Sequence, residues 1–139
     1  MNRFVLLVSL VLATTSVWGD SVCNGKPKPQ IESLLNSKNS LNLEDFNGHF
    51  KAFNYEEFIT KGEFTSYVCF EASPTPWPEV ILFFHKKKLI AYYGSKLASK
   101  RVTSTSDLRG AKVSYFGNIS TELRTEFEGI FFPYIEQAN

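Results

Sequence analysis

Two short apolar runs separated by a polar turn lie near the middle of the chain. The first run is Val80–Phe84, the second is Leu89–Tyr93, and His85–Lys88 stands between them. Both runs are rich in β-branched and aromatic residues, which predicts an antiparallel hairpin over about residues 80–93. Neither run alternates apolar with polar residues, so both faces of these strands need cover. The pattern therefore predicts a hairpin in the middle of a sheet, with other elements packed above and below it.

Before the hairpin, the spacing of apolar residues predicts one short helix and one strand. Ile31, Leu34 and Leu35 recur at helical intervals shortly after Pro29, which suits a first helical turn. Glu63–Glu71 alternates between two sets of side chains, as a strand does. One predicted face carries Phe64, Ser66, Val68 and Phe70, and the other carries Thr65, Tyr67 and Cys69.

The segment between these two elements carries competing periodicities. Phe46, Phe50 and Phe53 have helical spacing, whereas His49–Tyr55 also suits an edge strand. Gly48 weakens a helix by roughly 1 kcal/mol relative to alanine. We therefore expect a strand near His49–Tyr55.

After the hairpin, three further elements are expected. Ser95–Asp107 predicts a polar, basic connection, and Ala111–Phe116 predicts a strand. A long amphipathic helix follows, which Pro133 should kink or end near Phe132. Its apolar stripe consists of Leu123, Phe127, Ile130, Phe131, Tyr134 and Ile135.

These elements together predict a fold of the α+β class. We expect a single small domain with a mainly antiparallel sheet and the hairpin at its centre. The C-terminal amphipathic helix and the short N-terminal helix should cover the sheet.

The first 19 residues have the pattern of a signal peptide. Arg3 supplies a short positive region, Phe4–Ala13 is apolar, and small residues lead to a cleavage site after Gly19. The apolar run is shorter than the roughly 20 residues that span a membrane. We expect an exported, soluble protein, periplasmic in a bacterium or extracellular in a eukaryote, whose single domain comprises residues 20–139.

Composition then limits the possible partners. Cleavage after Gly19 removes Arg3 as the one charged residue and leaves 120 residues with 14 basic and 14 acidic side chains. A chain without basic excess is a poor nucleic-acid binder, so no nucleic-acid partner is expected. Nineteen aromatic residues remain, enough to build a substantial core.

The two cysteines predict one disulfide. Cys23 and Cys69 are 46 residues apart, and in an exported chain such a pair is expected to bond. The alternatives are two buried thiols or a crosslink from Cys23 to a second molecule, so a monomer and a dimer both remain open. His49 and His85 are the two histidines, and neither has a ligand at metal-site spacing, so no metal or cofactor is expected.

Two features suggest a binding surface. Ser73–Pro78 holds three prolines and favours a stiff, extended segment that either crosses between strands or presents Trp77 to a partner. The lysine-rich turn is either a solvated turn whose charges guard the neighbouring apolar strands against aggregation, or part of a positive patch with the following connection. The candidate partner-binding residues are Trp77, His85, Lys86, Lys87, Lys88, Lys96, Lys100 and Arg101.

Catalytic signals are weak. There is no Gly-x-Ser-x-Gly elbow and no glycine-rich phosphate loop, and bonded cysteines cannot act as nucleophiles. We therefore expect a protein without enzymatic activity and without catalytic residues.

The C-terminal half of the chain contains two further local motifs. Asp107–Val113, followed by Gly117, resembles a turn and strand of periplasmic solute-binding proteins over about a dozen residues. The expected mature chain is far too short for the two lobes of that family, and no ligand residue is transferred from it. Asn118-Ile119-Ser120 fits a glycosylation acceptor in a eukaryotic source.

Three functions are compatible with these observations. The leading hypothesis is a small exported interaction module, similar in role to an inhibitor or an immunity protein, that binds a protein or an anionic surface. The alternative is a carrier of a small hydrophobic ligand, with a pocket between the sheet and the C-terminal helix. The third is a minor hydrolase that uses His49 or His85 as its base.

Overall fold

The computed structural model describes residues 28–53, 55–70, 78–94, 99, 101–108 and 111–137. The predicted signal peptide, Cys23, Trp77, Lys96 and Lys100 lie outside these residues. The N-terminal part contains helix α1 (Lys28–Leu35), a 3-10 helix (Leu43–Phe46) and helix α2 (Asn47–Phe53). The strands are β1 (Glu56–Lys61), β2 (Phe64–Phe70), β3 (Pro78–His85), β4 (Lys88–Tyr93), β5 (Val102–Leu108) and β6 (Ala111–Phe116), and helix α3 (Thr121–Gln137) ends the described chain.

The six strands form one antiparallel sheet in the order β1-β2-β3-β4-β6-β5. The hairpin β3–β4 occupies the two central positions, in the register that places Phe83 opposite Ala91. The predicted α+β class and the predicted central hairpin are both confirmed.

The two faces of the hairpin enter separate cores. Val80, Leu82 and Phe84 face the N-terminal helices, where Ile31, Leu35 and Phe46 are fully buried. We call this side the N-terminal face. Ile81 and Phe83 point to the opposite side, the C-terminal face, where α3 packs. The ring of Phe83 lies 4.9 Å from that of Phe127 and 5.0 Å from that of Phe131. Cover on both faces explains why neither strand of the hairpin alternates apolar with polar residues.

The strand expected near His49–Tyr55 is wrong. His49–Phe53 belongs to helix α2, and β1 begins only at Glu56. Phe46 stacks on Phe50 at 5.9 Å and meets Phe84 edge-on at 5.4 Å. Burial of rings at helical spacing against the sheet outweighs the roughly 1 kcal/mol that an exposed glycine costs a helix.

The polar connection expected over residues 95–107 is also wrong in its second half. Residues from Val102 onward form the edge strand β5, which pairs with β6 from Val102 opposite Phe116 to Leu108 opposite Ala111. Serine and threonine dominate this strand, because its inward side meets the polar side chains of α3. A strand that packs against polar groups carries no apolar alternation.

Pro133 does not end the last helix, which continues to Gln137. Pro133 is exposed, and so is Gly129, whose carbonyl would accept the missing backbone hydrogen bond. Water can satisfy this carbonyl, while Phe127 and Phe131 hold the opposite side of the helix on the sheet.

Candidate interaction surface

The turn between β3 and β4 has an unusual backbone for its sequence. Lys86 and Lys87 are its two central residues, and both have positive φ, 50° and 65°. Two-residue hairpin turns with positive φ at both positions strongly prefer Asn-Gly. A left-handed conformation costs an L-residue with a full side chain about 1–2 kcal/mol. Two lysines therefore occupy positions where other residues would be more stable.

Hydrogen bonds from two neighbouring segments hold this turn in place. The Lys86 amide donates to the Glu63 carbonyl at 3.0 Å, and the Leu43 amide donates to the Lys87 carbonyl at 2.7 Å. Asn42 forms an isolated bridge with Lys88 beside these bonds. Backbone strain persists only where its surroundings impose it, and here bonds on both sides do so.

Other cations lie at the same end of the sheet. The β1–β2 turn follows Lys61 and precedes Phe64, which pairs with His85 at the hairpin turn. Arg101 precedes β5, and its carbonyl accepts a 3.1 Å hydrogen bond from the Gly117 amide just after β6. Because β6 is antiparallel to β4, this terminus of β6 is at the same end as the hairpin turn. We call Lys61, Lys86, Lys87, Lys88 and Arg101 the basic end of the sheet.

The segment 39–43 runs across the basic end and joins its two halves. Asn39 Oδ1 accepts a 2.7 Å hydrogen bond from Arg101 Nε. Further along, Leu43 reaches the carbonyl of Lys87. One short piece of chain thus contacts both the arginine and the lysine turn, which the sequence separates.

Few carboxylates oppose these cations. Glu63 Oε1 lies 3.8 Å from Lys86 Nζ, and both side chains are 64 % exposed, so this pair is weak. Asp45 accepts a 2.8 Å hydrogen bond from the Asn42 amide and pairs with Lys38 at 2.9 Å. These two interactions lower the pKa of Asp45 and occupy its carboxylate. Glu44 on the 3-10 helix and Glu122 at the start of α3 are also exposed near this end. The five cations of the basic end still outnumber the carboxylates of Glu44, Glu63 and Glu122.

The structure separates the predicted binding residues into three groups. Lys86, Lys87 and Lys88 are exposed at the turn, and the half-buried Arg101 is at the same end. His85 is half-buried, with its ring 4.6 Å from that of Phe64. Trp77, Lys96 and Lys100 are beyond the described residues, so their predicted role is untested.

Sequence reasoning did not identify Lys61 as a member of this surface. The strand expected before Lys61 was placed near His49–Tyr55, so no strand was expected to end at Lys61 itself. Once β1 pairs with β2, Gly62 with φ 61° makes the turn, and the exposed Lys61 stands at the basic end.

The two histidines lie in different parts of the fold. His49, on α2 and 7 % exposed, has its Nε2 2.9 Å from the Tyr55 hydroxyl, while its Nδ1 is buried without a partner. Burial lowers the pKa of His49 to about 4 and also raises the pKa of Tyr55, with the charge of Glu79 adding to the latter. His85 contacts Phe64 on the C-terminal face. They do not combine in one site.

The space proposed for a hydrophobic ligand contains aromatic rings in mutual contact. Between the sheet and α3, Phe127 and Phe131 are fully buried and lie 5.2 Å apart. Phe131 also meets Phe64 edge-on at 6.0 Å, and Phe127 meets Tyr115 at 5.7 Å. These rings pack as a core.

A polar cluster fastens α3 to the edge strand β5 and to its neighbour β6. Arg124 donates from Nε to Glu128 Oε2 at 3.1 Å and from its two terminal nitrogens to Ser104 Oγ at 3.1 Å and Ser106 Oγ at 2.5 Å. Glu128 Oε2 also accepts from Ser106 Oγ at 2.6 Å and from the Tyr115 hydroxyl. The guanidinium covers the Tyr115 ring at 4.5 Å. Each member already has a partner within the chain, as expected of a structural clamp.

The described residues contain neither a metal-binding cluster nor a membrane-spanning helix. No group of three or more histidine, cysteine or acidic residues that could hold a metal ion occurs among them. Within the same part of the chain, no helix has the length and apolarity needed to cross a membrane.

Comparison with protein-family models, curated proteins and solved structures finds no match. The choice of the basic end as the candidate interaction surface therefore depends on its geometry and charge alone.

Proposed function

We propose that this protein is a small exported interaction module that binds an anionic protein or surface through the basic end of the sheet. The observation that carries the proposal is the pair of lysines at the positive-φ positions of the β3–β4 turn. Residues that lower stability at a fixed, exposed position are typical of functional sites. Because interfaces pair opposite charges, the surface of the partner that contacts these lysines should be anionic.

Three further features support binding at this place. The turn is held by hydrogen bonds to Glu63 and Leu43, so its lysines are presented without a large ordering cost. Arg101 and Lys61 extend the positive charge along the same end. Ion pairs within the chain neutralise little of this positive charge, because the Lys86–Glu63 contact is long and exposed.

Export and the disulfide are parts of the same proposal. Residues 1–19 direct secretion, and Cys23 bonds to Cys69, which is fully buried in β2. Peptide mapping of the secreted chain before and after reduction tests this pairing. A crosslink between Cys23 residues of two chains would contradict it.

The first experiment is affinity capture, with the secreted chain as bait and the exported proteins of its own source as prey. It is run at about 0.15 M and about 0.5 M salt, because the Debye length falls from about 8 Å to about 4 Å. We expect one stoichiometric partner that is lost at the higher concentration.

Two double variants, each of which removes two positive charges, test whether the partner binds at the basic end. Lys86→Gln/Lys87→Gln should lose the partner, since it removes two cations from the basic end. Lys51→Gln/Lys112→Gln removes two exposed cations elsewhere, on α2 and at the start of β6, and should retain it. Equal capture by both variants removes the basic end from the proposal, and no partner at either salt concentration contradicts the interaction module.

A further inference from the structure

Asn118-Ile119-Ser120 lies in the turn between β6 and α3. It is the one Asn-x-Ser/Thr triplet in the chain. Asn118 and Ser120 are exposed, and Gly117 before them has φ 74°, which turns the chain out of the sheet. Ile119 between them is half-buried against the C-terminal core. The two polar residues of the triplet thus face solvent on either side of an anchored apolar residue.

Neither polar group is locked in an interaction that blocks chemistry at Asn118. Within the described part of the chain, the Asn118 carboxamide makes no hydrogen bond. The Ser120 hydroxyl accepts a 3.1 Å hydrogen bond from the Leu123 amide at the start of α3. In accepting it, the hydroxyl keeps its own proton free to donate.

We propose that Asn118 is an acceptor for N-linked glycosylation in a secretory compartment that holds a lipid-diphosphate-linked oligosaccharide. The Asn118 Nδ2 forms a bond to C1 of the terminal sugar, the bond from C1 to the diphosphate oxygen breaks, and the lipid diphosphate leaves. One amide proton is released, and no oxidant or reductant is needed. This inference requires entry into that compartment but is independent of the proposed binding at the basic end.

The test expresses the full chain in cultured animal cells, once as it stands and once behind a host leader peptide. Medium and lysate are both treated with a glycan-releasing amidase and measured by mass. We expect one discrete added mass that the amidase removes, with Asn118 converted to aspartate. A glycan with the host leader alone supports the acceptor and overturns the predicted leader of this chain.

Four variants test whether the added mass is attached to Asn118 and depends on its triplet. Asn118→Gln should abolish it, and Asn47→Gln, at an exposed asparagine outside the triplet, should retain it. Ser120→Asn should abolish it although asparagine can still cap α3, whereas Ser120→Thr keeps both cap and acceptor. Unmodified chain behind the host leader, or a glycan that persists in Asn118→Gln, overturns the inference.

Discussion

The Leu43 amide donates a 2.7 Å hydrogen bond to the carbonyl of Lys87, across 44 positions of sequence. This bond joins the start of the 3-10 helix to the strained turn of the central hairpin. Together with the bond from the Lys86 amide to Glu63, it fixes the turn from both sides. The basic end therefore depends on a segment that carries none of its charges.

Replacing Leu43 by proline isolates this bond. Asn42 has φ −104° and ψ 163°, which suits a residue before proline, and proline is tolerated at a first helical position. We expect Leu43→Pro to be less stable to unfolding than Leu43→Ala by about 1 kcal/mol, because one hydrogen bond is lost. Urea titration of both variants measures the difference, and equal midpoints would show that the bond contributes nothing to stability.

The lysine turn should be less stable than a turn of ordinary sequence. We expect Lys86→Asn/Lys87→Gly to increase the free energy of unfolding by about 1–2 kcal/mol, since these residues accept positive φ. Lys86→Gln/Lys87→Gln removes the same charges but keeps full side chains, so its stability should stay near that of the parent. Thermal and urea unfolding compare the three proteins. If Lys86→Asn/Lys87→Gly is no more stable than Lys86→Gln/Lys87→Gln, the positive φ angles do not destabilise this turn.

Glu128 should make stability depend on pH in the acidic range. Burial raises its pKa, but hydrogen bonds from Ser106, Tyr115 and Arg124 outweigh burial and hold the pKa below 4.5. The folded state therefore binds fewer protons than the unfolded state in this range. The stabilisation by ionised Glu128 is present above pH 4.5 and is lost as the pH falls below it. We expect Glu128→Gln to lose less stability than the parent between pH 5 and pH 3. Glu126→Gln, at an exposed position on the same helix, is the control.

His49 should make stability depend on pH in a range above that of Glu128. Burial lowers its pKa from 6.5 to about 4, so below pH 6.5 the unfolded chain binds a proton that the folded chain does not. The titration of His49 therefore costs no stability above pH 6.5, and it lowers the free energy of unfolding as the pH falls from 6.5 toward 4. We expect His49→Phe to flatten this slope in urea titrations between pH 7 and pH 4. The comparison variant is His85→Gln, and an unchanged slope in His49→Phe would show that His49 does not titrate in this way.

Patterns that depend on near neighbours in the chain predicted much of this fold. Helix α1, strands β2 and β6 and the central hairpin follow from the spacing of apolar residues, because burial on both faces or on one stripe leaves a mark in sequence. The lysine triplet was placed at the hairpin turn for the same reason. The positive φ of Lys86 and Lys87 was not foreseen, since such turns are recognised by Asn-Gly.

Contacts between distant segments decided the rest. Helix α2 forms because Phe46 and Phe50 pack on Phe84 and Tyr67 of the sheet. Strand β5 forms because its serines bond to Arg124 and Glu128. Arg101 lies at the same end of the sheet as the lysine turn because of the strand order β4-β6-β5, and the segment 39–43 contacts both of them. Local propensities differ by about 1 kcal/mol or less, so burial and pairing across the fold outweigh them, and a surface assembled from separate strand ends has no signature in any one stretch.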